Sequence, residues 1–82
     1  MNTNENQVLE KLLPLMREIL KTHVDIDSSQ VNVQQWDSLK HIEIVFAIED
    51  EFGIHFVENE FEHLTTVRKF IQAITTHNES QY

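Results

Sequence analysis

The sequence predicts an all-α protein, a small four-helix bundle of three longer helices and one short one, with a long loop between the first two. Three observations lead there. Apolar residues recur at i, i+3, i+4 and i+7 in the first and last stretches, the spacing that makes one buried stripe on a helix. A stretch between them is apolar on more than one side of its helical wheel. One glycine and one proline in 82 residues leave little of the punctuation that an all-β or loop-rich chain needs.

The first helix is expected from about Glu5 to Thr22, where Leu9, Leu12, Leu13, Met16, Ile19 and Leu20 form the stripe and Leu15 lies off it. Pro14 deletes one backbone hydrogen bond and crowds the preceding turn, so a bend or a late helix start is expected there. His23 to Asp37 reads as irregular, because Asp25, Asp27, Ser28 and Ser29 supply turn chemistry and no period persists. A connection this long in a small domain is usually functional or tacked down, and Val24, Ile26, Val31, Val33 and Trp36 are the candidate tacks. Trp36 is expected to be a hydrophobic plug, with contact to a partner as the other reading. The second helix, about Ser38 to Phe52, stops at Gly53, a residue suited to a C-terminal cap. A short third helix follows from about Glu58 to His63. Thr65 is expected to cap the last helix, near Thr66 to Thr76, whose stripe is Val67, Phe70, Ile71 and Ile74. The whole, residues 1–82, is one domain with its core at about 5–77 and a mobile tail at 78–82.

Fourteen acidic and six basic residues give a formal charge of −8. Such a chain repels phosphate backbones and anionic lipid, so neither nucleic acid nor a membrane surface is an expected partner. A partner with a basic face fits better, and charge steering would speed a short-lived encounter. The absence of cysteine excludes a disulfide and any cysteine-based metal site. The polar start and the lack of a long apolar run argue for a cytoplasmic protein without a membrane span. His23, His41, His55, His63 and His77 lack the i, i+4 pairing of a zinc site, although His41 lies beside the core-facing group. Asp25 to Ser29 imitates the start of a calcium loop. Gln30 then stands where the turn glycine belongs and Trp36 where the closing glutamate belongs, so that loop fails. No nucleophile–base or paired-carboxylate motif is recognisable, and a non-catalytic protein is expected.

At ~100° per residue, Ile44, Val45, Ile48 and Phe52 share one side of the second helix, while Leu39, Ile42 and Phe46 fall on another. Glu43, Glu49 and Asp50 surround the second set. That set is either a docking surface rimmed by charge, or is partly covered by the long loop with the acids as a solvated rim. Ser38 at the helix start is open to two readings as well. Serine and aspartate are both preferred N-caps, and a helix N-terminus also tolerates an attached anion.

Asp37-Ser38-Leu39 is followed by Ile42-Glu43-Ile44-Val45, Glu49-Asp50-Glu51-Phe52 and Leu64-Thr65-Thr66-Val67. At this spacing the chain resembles the acyl carrier proteins from about Val8 to Ile74. Housekeeping fatty-acid carriers usually have Gly-Ala or Gly-Leu before the aspartate. Gln35-Trp36 is more similar to the free-standing Trp-Asp-Ser-Leu carriers of specialised acyl pathways. The resemblance implies that Ser38 carries 4′-phosphopantetheine from coenzyme A, with Asp37 as its signature neighbour. It implies that Leu39, Ile42, Glu43, Phe46, Glu49 and Asp50 contact partner enzymes. Those would be a phosphopantetheinyl transferase, an acyl-loading ligase or acyltransferase, and a downstream synthase or transferase with a basic docking face. The carrier itself is expected to be a monomer. A polyketide-like, amino-acyl or surface-glycan pathway is the expectation, with fatty-acid synthesis the alternative. A rival of another class is an unmodified acidic helical adaptor, in which Ser38 only caps and the second helix binds a partner.

Overall fold

A computed structural model describes residues 5–79, which form α1 (Glu5–Leu20), α2 (Ser38–Phe52), α3 (Glu58–His63) and α4 (Val67–Glu79). The architecture is the small all-α bundle expected. α1 packs against both α2 and α4.

α1 buries Val8, Leu12, Met16 and Leu20, a strict i, i+4 row, with Leu9, Leu13, Leu15 and Ile19 half-buried beside it. All six residues of the expected stripe face the core, and Val8 joins them at its N-terminal end. The helix runs from Glu5 through an exposed Pro14, so the late start does not occur. Burying one large aliphatic side chain contributes about 1.5–3 kcal/mol, and four of them outweigh the ~3 kcal/mol that an interior proline costs. The helix ends at Leu20 rather than Thr22, because Lys21 turns left-handed at φ 56° and its N–H donates to the Arg17 carbonyl at 2.8 Å. Arg17 Nε then donates to the Val24 carbonyl at 2.9 Å, tying the departing loop back to the helix.

Residues 21–37 are held at several points. Val24, Val33 and Trp36 are buried and Ile26 is half-buried, as tacks should be. Val31 is not a tack: it is 96% exposed at the outer edge of the loop. Backbone pairing takes its place, since Ser29 and Thr66 form an isolated antiparallel bridge. Gln30 N donates to the Thr65 carbonyl at 3.0 Å and Val67 N to the Ser28 carbonyl at 3.1 Å. Arg68 adds an exposed ion pair to Asp27 at 2.9 Å. Asp25 closes the preceding turn by accepting from Asp27 N at 2.9 Å. That backbone bond and the neighbouring His23 ring hold the Asp25 carboxyl below its ordinary value. The turn therefore adds stability above the ordinary carboxylate range and loses it as pH falls through the lowered value, weakly because the group is exposed.

Thr66, not Thr65, caps α4: its Oγ1 accepts from Lys69 N at 3.0 Å, while the Thr65 carbonyl serves the loop. α4 continues to Glu79, three residues past the expected Thr76. Asn78 and Glu79, expected in the tail, belong to it, and residues 80–82 lie outside the described residues. α3 starts where Glu60 Oε1 accepts from Val57 N at 3.0 Å, and the same carboxylate meets His77 of α4 at 3.1 Å. No described helix is long and apolar enough to cross a membrane.

Gly53 ends α2 in the left-handed region at φ 65°, with nothing within 4 Å of where a Cβ would stand. The penalty of a side chain there is conformational alone. Gly53→Ala should lower unfolding free energy by about 1 kcal/mol in urea titration, and Gly53→Asn by less, since asparagine tolerates this region better. An unchanged midpoint for the alanine variant would contradict the role given to this glycine.

Candidate functional site

The start of α2 decides what Ser38 can do. Asp37 sits in extended backbone at φ −95° and its Oδ1 accepts from Lys40 N at 2.9 Å, so the aspartate is the N-cap. The first intrahelical bond runs from His41 N to the Asp37 carbonyl at 2.8 Å. Ser38 is thus the first helical residue and its hydroxyl is not spent on capping. It is exposed, and among the described residues it has no hydrogen-bond partner. The amides of Ser38 and Leu39 precede the first intrahelical bond, in the positive end of the helix field.

The loop is fastened to this helix start from below. Trp36 is 2% exposed, the plug expected, and its Nε1 donates to His41 Nδ1 at 3.0 Å, the two rings lying edge to edge and 25° from parallel. With Nδ1 accepting, the hydrogen of the neutral imidazole stands on Nε2 and is donated to the Phe61 carbonyl of α3 at 2.7 Å. Phe70 of α4 packs against both rings, nearly parallel to Trp36 and tilted against His41, so that the three centroids stand about 6 Å from one another. One buried imidazole therefore connects the loop, α2, α3 and α4. The sequence placed His41 near the core but carried no sign of its two partners. Burial of a polar ring five residues after a plugging tryptophan is the signal that could have raised the question.

Beyond Ser38, α2 has two apolar faces. Ile44, Val45 and Ile48 are buried and Phe52 is half-buried against the core. Leu39 is 68%, Phe46 59% and Ile42 44% exposed, so the loop does not cover them. Leu39, Glu43, Phe46 and Asp50 follow one another at the spacing of a single stripe, with Ile42 along its edge. Glu43 and Asp50 are exposed, Glu43 forming an i, i+3 pair with Lys40 at 3.2 Å. Glu49 belongs elsewhere. It is half-buried, and its Oε2 accepts from Phe56 N at 2.8 Å and lies 3.2 Å from His55 Nδ1. Its carboxylate closes the turn after Gly53, which removes it from the exposed stripe.

Two grooves flank the helix. One of about 360 Å³ is lined by Gln30, Ser38, His41, Ile42, Phe61 and Glu62. The other, about 640 Å³, lies between α1 and α2 and brings Leu15 and Ile19 beside Phe46 and Ala47. Among the described residues no group of three His, Asp or Glu side chains is arranged to hold a metal ion.

Replacing Trp36 by phenylalanine keeps most of the plug and removes one donor, leaving His41 Nδ1 buried without its partner. Trp36→Phe should cost about 1–3 kcal/mol in unfolding free energy. The loss should shrink in a background where His41 is already leucine, because the orphaned acceptor is then gone. Equal losses in both backgrounds would mean that the hydrogen bond does not matter.

A scan against models of known protein families finds none that matches this chain.

Proposed function

We propose that this chain is an acyl carrier: Ser38 receives 4′-phosphopantetheine, and the arm presents a thioester-linked acyl group to partner enzymes. The observation that supports it most is the division of labour at the start of α2. Asp37 does the capping, which leaves an exposed, unengaged Ser38 hydroxyl at the end of a helix that favours an attached phosphate. The groove beside it offers amide, imidazole and apolar neighbours to an arm of mixed polarity. With no cysteine in the chain, any thioester must ride on a thiol brought by the arm.

In the loading step Ser38 Oγ attacks the β-phosphate of coenzyme A and yields its proton to a base of the transferase. Phosphopantetheine passes to the oxygen and adenosine 3′,5′-bisphosphate leaves. The chain contributes the nucleophile and its placement, and the transferase contributes the rest. The protein makes and breaks no bonds in later steps; ligase or acyltransferase loads the arm, and a synthase or transferase takes the group off. We assign docking to Leu39, Ile42 and Phe46 with Glu43 and Asp50, and leave Glu49 to the fold. Leu15 and Ile19 extend this apolar surface across the α1–α2 groove. The acids favour partners with basic faces, and the chain works as a monomer in the cytoplasm.

Incubating the native protein with coenzyme A and a broad-specificity phosphopantetheinyl transferase should add one arm by intact mass, and Ser38→Ala should add none. An unchanged mass for the native protein would leave the adaptor reading, in which the α2 stripe binds a partner and Ser38 stays bare. Docking has its own readout. Glu43→Lys with Asp50→Lys should slow loading by about tenfold or more at low salt and much less at high salt, with helical circular dichroism unchanged. Equal rates across salt and variants would remove this surface from the proposal.

A further inference from the structure

Resting on the carrier reading, we infer that the cargo stays outside the bundle and that a long aliphatic chain is not threaded into the core. The groove beside Ser38 ends on His41 and Phe61. Behind them the interior is filled by rings: Trp36 and His41 stand with centroids 6.0 Å apart, Trp36 and Phe70 6.0 Å, and Phe56 and Phe70 6.4 Å. Phe56 and Phe70 are fully buried side chains. A chain leaving Ser38 for the core between α2 and α3 would have to part His41 from the Phe61 carbonyl, a bond of 2.7 Å. It would also have to displace Trp36, whose Nε1 is bonded to His41 at 3.0 Å.

Methylene groups cannot replace either partner, so both polar groups would be left buried and unpaired. Helices with no polar tie across their seam could separate at the cost of packing alone; these are tied through a single ring. The groove itself includes the Gln30 amide and the Glu62 carboxylate, which suit the amides of the arm or a short polar group better than an alkyl chain.

A chain sheltered by the folded protein and released on unfolding behaves as a bound ligand and raises the melting temperature. One that remains in solvent does not. The native protein, loaded with acetyl-, octanoyl- and dodecanoyl-pantetheine from the matching coenzyme A thioesters, gives the comparison. Intact mass with Ser38→Ala as control verifies each loading. The expected result is a melting temperature constant to about 2 °C across the three, where sheltering would raise it by about 5 °C or more from the shortest to the longest. Thioester cleavage by neutral hydroxylamine, taken relative to the same acyl group on free pantetheine, should not depend on chain length. A melting temperature that climbs beyond that margin, or relative cleavage that slows with each longer chain, overturns the inference while leaving the carrier reading in place. Failure to load at Ser38 is a separate outcome, seen by mass before any melting curve, and overturns the carrier reading and this inference with it.

Discussion

A neutral histidine with both ring nitrogens engaged is an unusual centre for so small a core, and the arrangement of the helices depends on it. His41 accepts from the Trp36 indole and donates to the Phe61 carbonyl, so the loop before α2 and the short α3 after it are set relative to the same ring. α3 buries none of its own residues and is only six residues long. Such a helix is marginal by itself, since nucleation is costly and few bonds return the expense. Its position comes from His41, from Glu60 with His77 of α4, and from the buried Phe56 and Leu64 at its two ends. Apolar contacts alone would tolerate sliding; two hydrogen bonds with fixed directions do not.

The same ring explains how a helix can be apolar on two sides without being buried on both. His41 lies among the core positions of α2 and fixes its rotation, so that Ile44, Val45 and Ile48 turn inward and Leu39 and Phe46 must face water. Exposed apolar residues of that size favour self-association, which the surrounding acids oppose in a chain of net charge −8. A helix optimised for stability alone would carry polar residues at Leu39 and Phe46. Their presence is a departure from local consistency of the kind that accompanies a binding role.

Much of this was legible in the sequence because it rests on period. The α2 limits, Ser38–Phe52, and those of α3, Glu58–His63, coincide with expectation because an aspartate precedes one and glycine follows it, and a Glu-rich turn begins the other. The core side of α2 was legible for the same reason. Features set by partners distant in sequence were not. Lys21 ends α1 through a left-handed turn that no side-chain preference announces. Val31 reads as an anchor by composition, yet the backbone bridge from Ser29 to Thr66 does the anchoring and leaves it outside. Glu49 belongs by spacing to the acidic rim, and was lost to the Phe56 amide seven residues later. Ser38 and Asp37 competed for one capping role in the sequence, and only backbone geometry assigned it to the aspartate.

The bridge between Ser29 and Thr66 also divides the long loop into unequal parts. On its inner side, residues 32–37 wind back through bonds from Val33 N to Ser29 O and Trp36 N to Val33 O before entering α2. At its outer edge Val31 projects from a backbone already clamped on both sides. Extra residues inserted at that point would be looped out beyond the clamp, and the closure entropy of a short insertion is small. The edge at Val31 is thus a natural place for a fluorophore, an affinity tag or a tether to another domain that leaves the helices undisturbed, and, because the neighbouring Gln30 lines the groove beside Ser38, a fluorophore there would stand close to that groove.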